Sequence, residues 1–212
     1  MLCAMGTTQL LASSLGRNDE QPNVALAEAI AKKGNTKAVS ELIGVLTGKD
    51  KALRSDAIKV LYEIGERKPE LIAAHLAVFV SLLSSKDNRM VWGSMCAVDA
   101  IADVRPKEVV AQLPAIMAAV DKGSVITRDH AIKAMVKIAA DKKYAANVMP
   151  LLHEQLRTSP VNQLPMYAEL IATVRSVPHA KDTTKILEKR LVDVPQPPKR
   201  KRIEKVLRQL KD

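Results

Sequence analysis

The sequence predicts an all-α fold, a stack of antiparallel helix pairs, on three observations. A segment recurs at a fixed period, prolines recur at that same period where helices begin, and the apolar mass is nearly free of aromatic rings. Of 212 residues, 47% are hydrophobic and 26% charged, yet there are only one Trp, one Phe and three Tyr. Ala, Val, Leu, Ile and Met carry the core instead, and such side chains suit close packing of helix on helix. Residues 54–65 recur as residues 128–139, an offset of 74, and half of that offset, 37, lands on residues 91–102. There Met95, Val98 and Ile101 stand where the first copy has Ile58, Leu61 and Ile64. A period of this size is the signature of stacked repeats, in which no single helix pair can bury its own apolar face.

The elements follow in order. Residues 1–17 are either a partner helix or an arm; they lack the basic start and sustained apolar run of a secretory signal. Val24, Leu26, Ala27 and Ile30 have helical spacing and read as the second helix of a shortened unit. The turn Gly48-Lys-Asp50 pairs a helix stop with an N-cap and starts the helix built on Ile58, Leu61 and Ile64. Pro69 then opens a helix carrying Leu71, Leu76, Phe79, Leu82 and Leu83, and Asp87 in the next turn starts the 91–102 helix. Pro106, again 37 residues on, opens Val109, Leu113, Ile116, Met117 and Val120, before Lys122-Gly-Ser124 starts the 128–139 copy. Residues 145–157 and 164–176 make a fourth pair. Residues 183–192 and 199–210 make a fifth around the turn Pro195-Gln-Pro-Pro198.

The string Leu46 to Asp50, followed by Leu53-Arg54, Ala57, Leu61 and Ile64-Gly65, resembles the second half of a HEAT (armadillo-like) repeat, where a turn aspartate precedes an apolar-Arg pair and an alanine-rich helix. The third copy keeps Ile126, Arg128, Ala131 and Ile138; the middle copy has Val91 where the arginine is expected but retains Asp87. The resemblance implies a HEAT-like α-solenoid, a right-handed superhelix forming a single domain over 1–212. Its clearest repeats span 36–157, with irregular caps at 1–35 and 158–212. It also implies a concave face lined by the second helices, which is the face such solenoids usually use for binding. Fold alone leaves function open.

With the core stripe fixed, the opposite stripes present Lys59 and Tyr62, then Trp92, Cys96, Asp99 and Asp103, then Lys133 with Lys137 beside it. These eight are the candidate partner-binding residues, expected to be exposed. Trp92 reads in two ways: as a recognition residue with large apolar area, or as packing over the neighbouring repeat. The mixed charges around it suit a solvated face as well as an anion groove.

The formal charge of +10 is concentrated late in the chain: residues 1–100 hold 12 Lys+Arg against 11 Asp+Glu, and residues 151–212 hold 13 against 7. The tract Lys199, Arg200, Lys201, Arg202 is the densest cluster. It is a candidate nucleic-acid or anion contact, similar in a eukaryote to a nuclear import signal, or else the exposed start of a last amphipathic helix buried through Ile203, Val206, Leu207 and Leu210.

No catalytic constellation stands out. His75, His130, His153 and His179 share no offset, no metal-ligand spacing or phosphate-binding glycine loop occurs, and the lone His153-Glu154 pair cannot build a two-iron site. No metal or other cofactor is expected. Cys3 and Cys96, far apart, suit a reducing compartment, and cytoplasm, or a nucleus in a eukaryote, is the expected location. No apolar run reaches the roughly 18 to 20 residues of a membrane span. The leading expectation is a non-enzymatic scaffold for a protein or peptide on the concave face. Nucleic-acid binding by the basic C-terminal repeat is the alternative, with alkylpurine DNA glycosylase activity a remote third, since a glycosylase needs aromatic platforms that are scarce here.

Overall fold

Each repeat builds its elements from the same local signals, and the computed structural model, which describes residues 6–174 and 177–211, shows them in register. Cys3 and the expected helix end at Ser176 lie outside the described residues. Among the described residues the regular structure is helical throughout. After a short 3-10 turn at Thr7–Leu10 come α1 (Gln21–Lys33), α2 (Thr36–Val45), α3 (Lys51–Arg67), α4 (Glu70–Ala73), α5 (Leu76–Leu82), α6 (Asn88–Ile101), α7 (Pro106–Val110), α8 (Leu113–Lys122) and α9 (Val125–Ala140). They are followed by α10 (Lys142–Thr158), α11 (Leu164–Ile171), α12 (Val177–Arg190) and α13 (Pro197–Gln209). These residues gather into two compact units, Met1–Ala131 and Ile132–Asp212, dividing within α9.

In the first unit α1, α3 and α6 form one row, with α2 behind α3 and α5 behind α6. Ile58, Leu61, Ile64, Phe79, Met95 and Ile101 are fully buried there, each worth about 1.5–3 kcal/mol by the usual burial scale. The caps fall where the turn residues predict. The carboxylate of Asp50 accepts from the backbone N–H groups of Ala52 and Leu53, and that of Asp87 from Arg89. Arg54 of one repeat also reaches the Asp87 carboxylate of the next at 3.1 Å, so the turn aspartate and the helix arginine tie successive repeats together.

Two details differ from the expected helix pairs. The first helix of each middle repeat is broken, α4 from α5 at His75 (φ −101°, ψ 14°) and α7 from α8 at Gln112 (φ −100°, ψ 3°). Those residues stand 37 apart, so the period persists in the backbone. At the start of the chain, Leu11 and Ala12 are buried but the segment forms a 3-10 turn rather than a partner helix. The backbone N–H of Ala12 donates to Asn23, and that of Ser13 to Asp56 on α3.

In the second unit α10 packs on α12 and α11 on α13. Helix α10 runs through Pro150, which withdraws one backbone donor; its buried face, Val148, Met149, Leu152 and Leu156, holds it in place. Arg190 closes the unit by donating to the carbonyls of Leu156, Arg157 and Ser159.

Candidate functional site

Helices α3 and α6 lie close together because two glycines sit in their seam. A Cβ on Gly93 would meet Ile58 Cγ1 at 2.6 Å, and one on Gly65 would meet Ile72 Cδ1 at 2.6 Å and Ala100 Cβ at 3.0 Å. That approach decides the state of the stripe opposite the core.

The structure corrects the expectation of an exposed stripe. Lys59, Tyr62, Cys96 and Asp99 are buried, Trp92, Lys133 and Lys137 are half-buried, and Asp103 is exposed. The packing of α1 on α3 and of α3 on α6 covers this stripe in part, burying Lys59 and Tyr62 and leaving Trp92 half-buried. Lys133 and Lys137 belong to the second unit, so the first unit gathers only the other six.

What the first unit assembles there is a stack of aromatic and cationic groups on a salt-bridge network. The Arg89 guanidinium lies 4.2 Å from the centroid of the Trp92 ring, the Trp92 and Tyr62 rings are tilted at 49° with centroids 5.8 Å apart, and Lys59 Nζ stands 5.0 Å from the Tyr62 centroid. Lys59 donates to Glu63 at 2.7 Å and pairs with Glu20 at 3.1 Å; Arg89 donates to the other oxygen of Glu20 at 2.8 Å, and Arg67 to Glu63 at 2.5 Å. Burial works against the charge of Lys59, but the bonds to Glu63, Tyr62 and Glu20 outweigh it and hold its pKa above the usual lysine range. Burial likewise opposes ionisation of Glu63 and Glu20, yet their cationic partners hold both below the usual carboxylate range. The Tyr62 hydroxyl is pushed up by burial. Lys59, Glu63 and Glu20 are thus charged at neutral pH.

Arg89 and Glu20 were not among the expected site residues. Arg89 was legible, since it sits three residues before Trp92 on one helical face. Glu20, preceding α1, reaches the cluster only through the packing of α1 on α3. Farther along α6, His130 Nδ1 and Asp99 Oδ2 are 2.7 Å apart, joining the start of α9 to α6. Elsewhere in this unit a groove of about 650 Å³ is lined by residues that include Val80, Leu83, Lys86, Ala119 and Lys122.

In the second unit the basic tract is partly engaged. Lys199 donates to Asn162, Arg200 bonds Glu204 and the Leu191 carbonyl, and Arg202 forms a two-pronged pair with Glu169 at 2.7 and 2.6 Å. Lys201 is exposed. His153 is buried, with Nε2 2.9 Å from the Thr183 hydroxyl, and burial lowers its pKa. Among the described residues, no group of three or more His, Cys, Asp and Glu side chains that could hold a metal ion forms, and no helix is long and apolar enough to cross a membrane.

No protein-family model matches the sequence, and no curated protein matches it. Solved structures do match in shape. A computationally designed armadillo repeat protein for modular peptide recognition aligns with a TM-score of 0.64 at 17% identity, covering 96% of this chain and 98% of that one. A HEAT-like repeat protein of the archaeon Thermococcus onnurineus NA1 aligns with a TM-score of 0.55 at 12% identity over 98% and 97% of the two chains. A designed armadillo repeat protein in complex with the peptide (KR)4 aligns with a TM-score of 0.64 at 15% identity over 97% and 100%. The chain has the HEAT/armadillo-like α-solenoid repeat fold. The break at His75 and Gln112, which turns a pair into a short, a medium and a long helix, is a regular feature of this chain's two middle repeats.

Proposed function

We propose that this repeat protein is a non-enzymatic scaffold that holds a peptide or an extended segment of a partner protein against the α3–α6 face of its first unit, the side that the repeat resemblance makes concave. The observation that carries the reading is the half-buried Trp92, stacked between Arg89 and Tyr62 over the Lys59, Glu20 and Glu63 network. Trp, Tyr and Arg are the residues that most often dominate binding energy, and a ring already held by its neighbours loses little freedom when a ligand covers it. The likeness to the designed armadillo protein in complex with (KR)4 supports a peptide as ligand. Trp92, Arg89, Glu20 and Asp103 are the reachable groups of this face, while Lys59, Tyr62, Cys96 and Asp99 are buried.

Trp92 is the only tryptophan of the chain, so its emission reports this face alone. Peptides selected from a random displayed library against the full chain are expected to shift Trp92 emission, and Trp92→Ala is expected to weaken them at least about tenfold, a hot-spot loss of roughly 1.4 kcal/mol or more. Selected peptides that leave the emission unchanged and bind Trp92→Ala as they bind the wild type would place binding elsewhere.

A further inference from the structure

The charge excess of the chain belongs to one unit. Residues 1–131 hold 16 Lys+Arg against 15 Asp+Glu, whereas residues 132–212 hold 17 against 8. Within the second unit most carboxylates among the described residues are already engaged. Asp141 caps α10, Glu154 pairs with Arg157, Glu169 with Arg202, Glu188 with Lys211, Asp193 with Arg190 and Glu204 with Arg200. These pairs also orient α13. Arg202 and Lys199 turn one side of it toward Glu169 and Asn162, while Arg200 and Lys211 turn another toward Leu191 and Glu188 at the end of α12.

What remains outward is a row of cations. Lys201, Lys205 and Arg208 stand at four- and three-residue spacing, on the face opposite the buried Ile203, and all three are exposed. At 1.5 Å rise per residue they are about 6 and 4.5 Å apart along the axis. Helix α12 adds Lys181, Lys185 and Lys189, likewise exposed and four residues apart.

We propose that the outward face of α13, through Lys201, Lys205 and Arg208, docks on the phosphate backbone of a nucleic-acid duplex without reading its sequence. The occupant follows from charge complementarity and from what the face lacks. A membrane-surface helix inserts its apolar face, but that of α13, Ile203, Val206 and Leu207, is buried within the unit. Single strands are held by stacking on aromatic rings, and the only aromatic residues of the unit are Tyr167, buried, and Tyr144 on α10. An acidic peptide could meet the same three cations, but it brings no condensed counterions to release, whereas a duplex presents closely spaced phosphates and gains from that release. The basic tract singled out in the sequence is thereby shifted by one turn: Lys199, Arg200 and Arg202 build the unit, and Lys201 with the next two turns meets the ligand.

The test is binding of the full chain to a short mixed-sequence DNA duplex across a salt series, beside an oligo-dT strand, a poly-glutamate peptide and vesicles of phosphatidylserine in phosphatidylcholine. The duplex is expected to bind best, with affinity falling steeply with salt. The triple variant Lys201→Gln, Lys205→Gln, Arg208→Gln, with unchanged far-UV ellipticity, is expected to bind at least tenfold more weakly at low salt, with a log–log salt slope smaller by about 2 to 3, near one per lost phosphate contact. Trp92→Ala is expected to bind the duplex as the wild type does, which keeps this test separate from that of the peptide face. Absence of duplex binding at low salt, a triple variant that binds like the wild type, or tighter binding to the single strand, the acidic peptide or the vesicles overturns the proposal.

Discussion

Gly93 and Gly65 show how much rests on single residues in this fold. Neither has a positive φ; each is glycine because the neighbouring helix leaves no space for a methyl group. A Cβ at position 93 would stand 2.6 Å from Cγ1 of Ile58, a β-branched side chain whose stem is fixed in the core and cannot swing aside. Gly93→Ala is therefore expected to destabilise the protein by about 1–3 kcal/mol, the usual cost of overpacking, although alanine is the better helix former. Denaturant unfolding with an unchanged m-value checks it; a stability equal to or above that of the wild type would mean the seam is slack. The same close seam explains why Lys59 and Tyr62 are buried although the helical wheel of α3 alone leaves them on the outer stripe. A wheel describes one helix, and the covering residues come from α1 and α6.

Among the elements, the turn aspartates were legible and their second task was not. Asp50 and Asp87 occupy equivalent N-cap positions, 37 residues apart. Asp87 in addition accepts the part-buried Arg54 of the preceding repeat. Asp50→Ala is expected to cost about 1 kcal/mol, the ordinary value of a cap, and Asp87→Ala about 2 kcal/mol, because it also strands a cation. Equal losses in thermal or denaturant unfolding would show that the link between repeats contributes nothing. The broken first helices divide in the same way. The end of α7 could be read from Pro114, whose missing N–H sits in the first turn of α8. The break at His75 has no such residue near it, since Ala74 and Ala77 are good helix formers, yet it stands 37 residues before the break at Gln112.

At the scale of the whole molecule the chain carries two cores, each with its own helix rows, and nearly all its net charge on one of them. Repeat folds are stabilised by contacts between neighbours, and their cooperativity weakens with distance along the chain. Trp92 reports the first unit, while far-UV ellipticity reports both. The two probes are expected to give urea transitions with different midpoints, and superposed transitions would show that the units unfold as one. The helical class, the 37-residue period and the N-cap residues were readable without coordinates, because apolar spacing, prolines and turn aspartates act within a few residues of themselves. So was the late concentration of positive charge. Only the tertiary structure decided which stripe residues are covered, that Glu20 and Arg89 complete the Trp92 cluster, and which cations of the C-terminal helix are spent on ion pairs. Each of those depends on the distance between side chains far apart in sequence, on elements whose spacing is set by the residues between them.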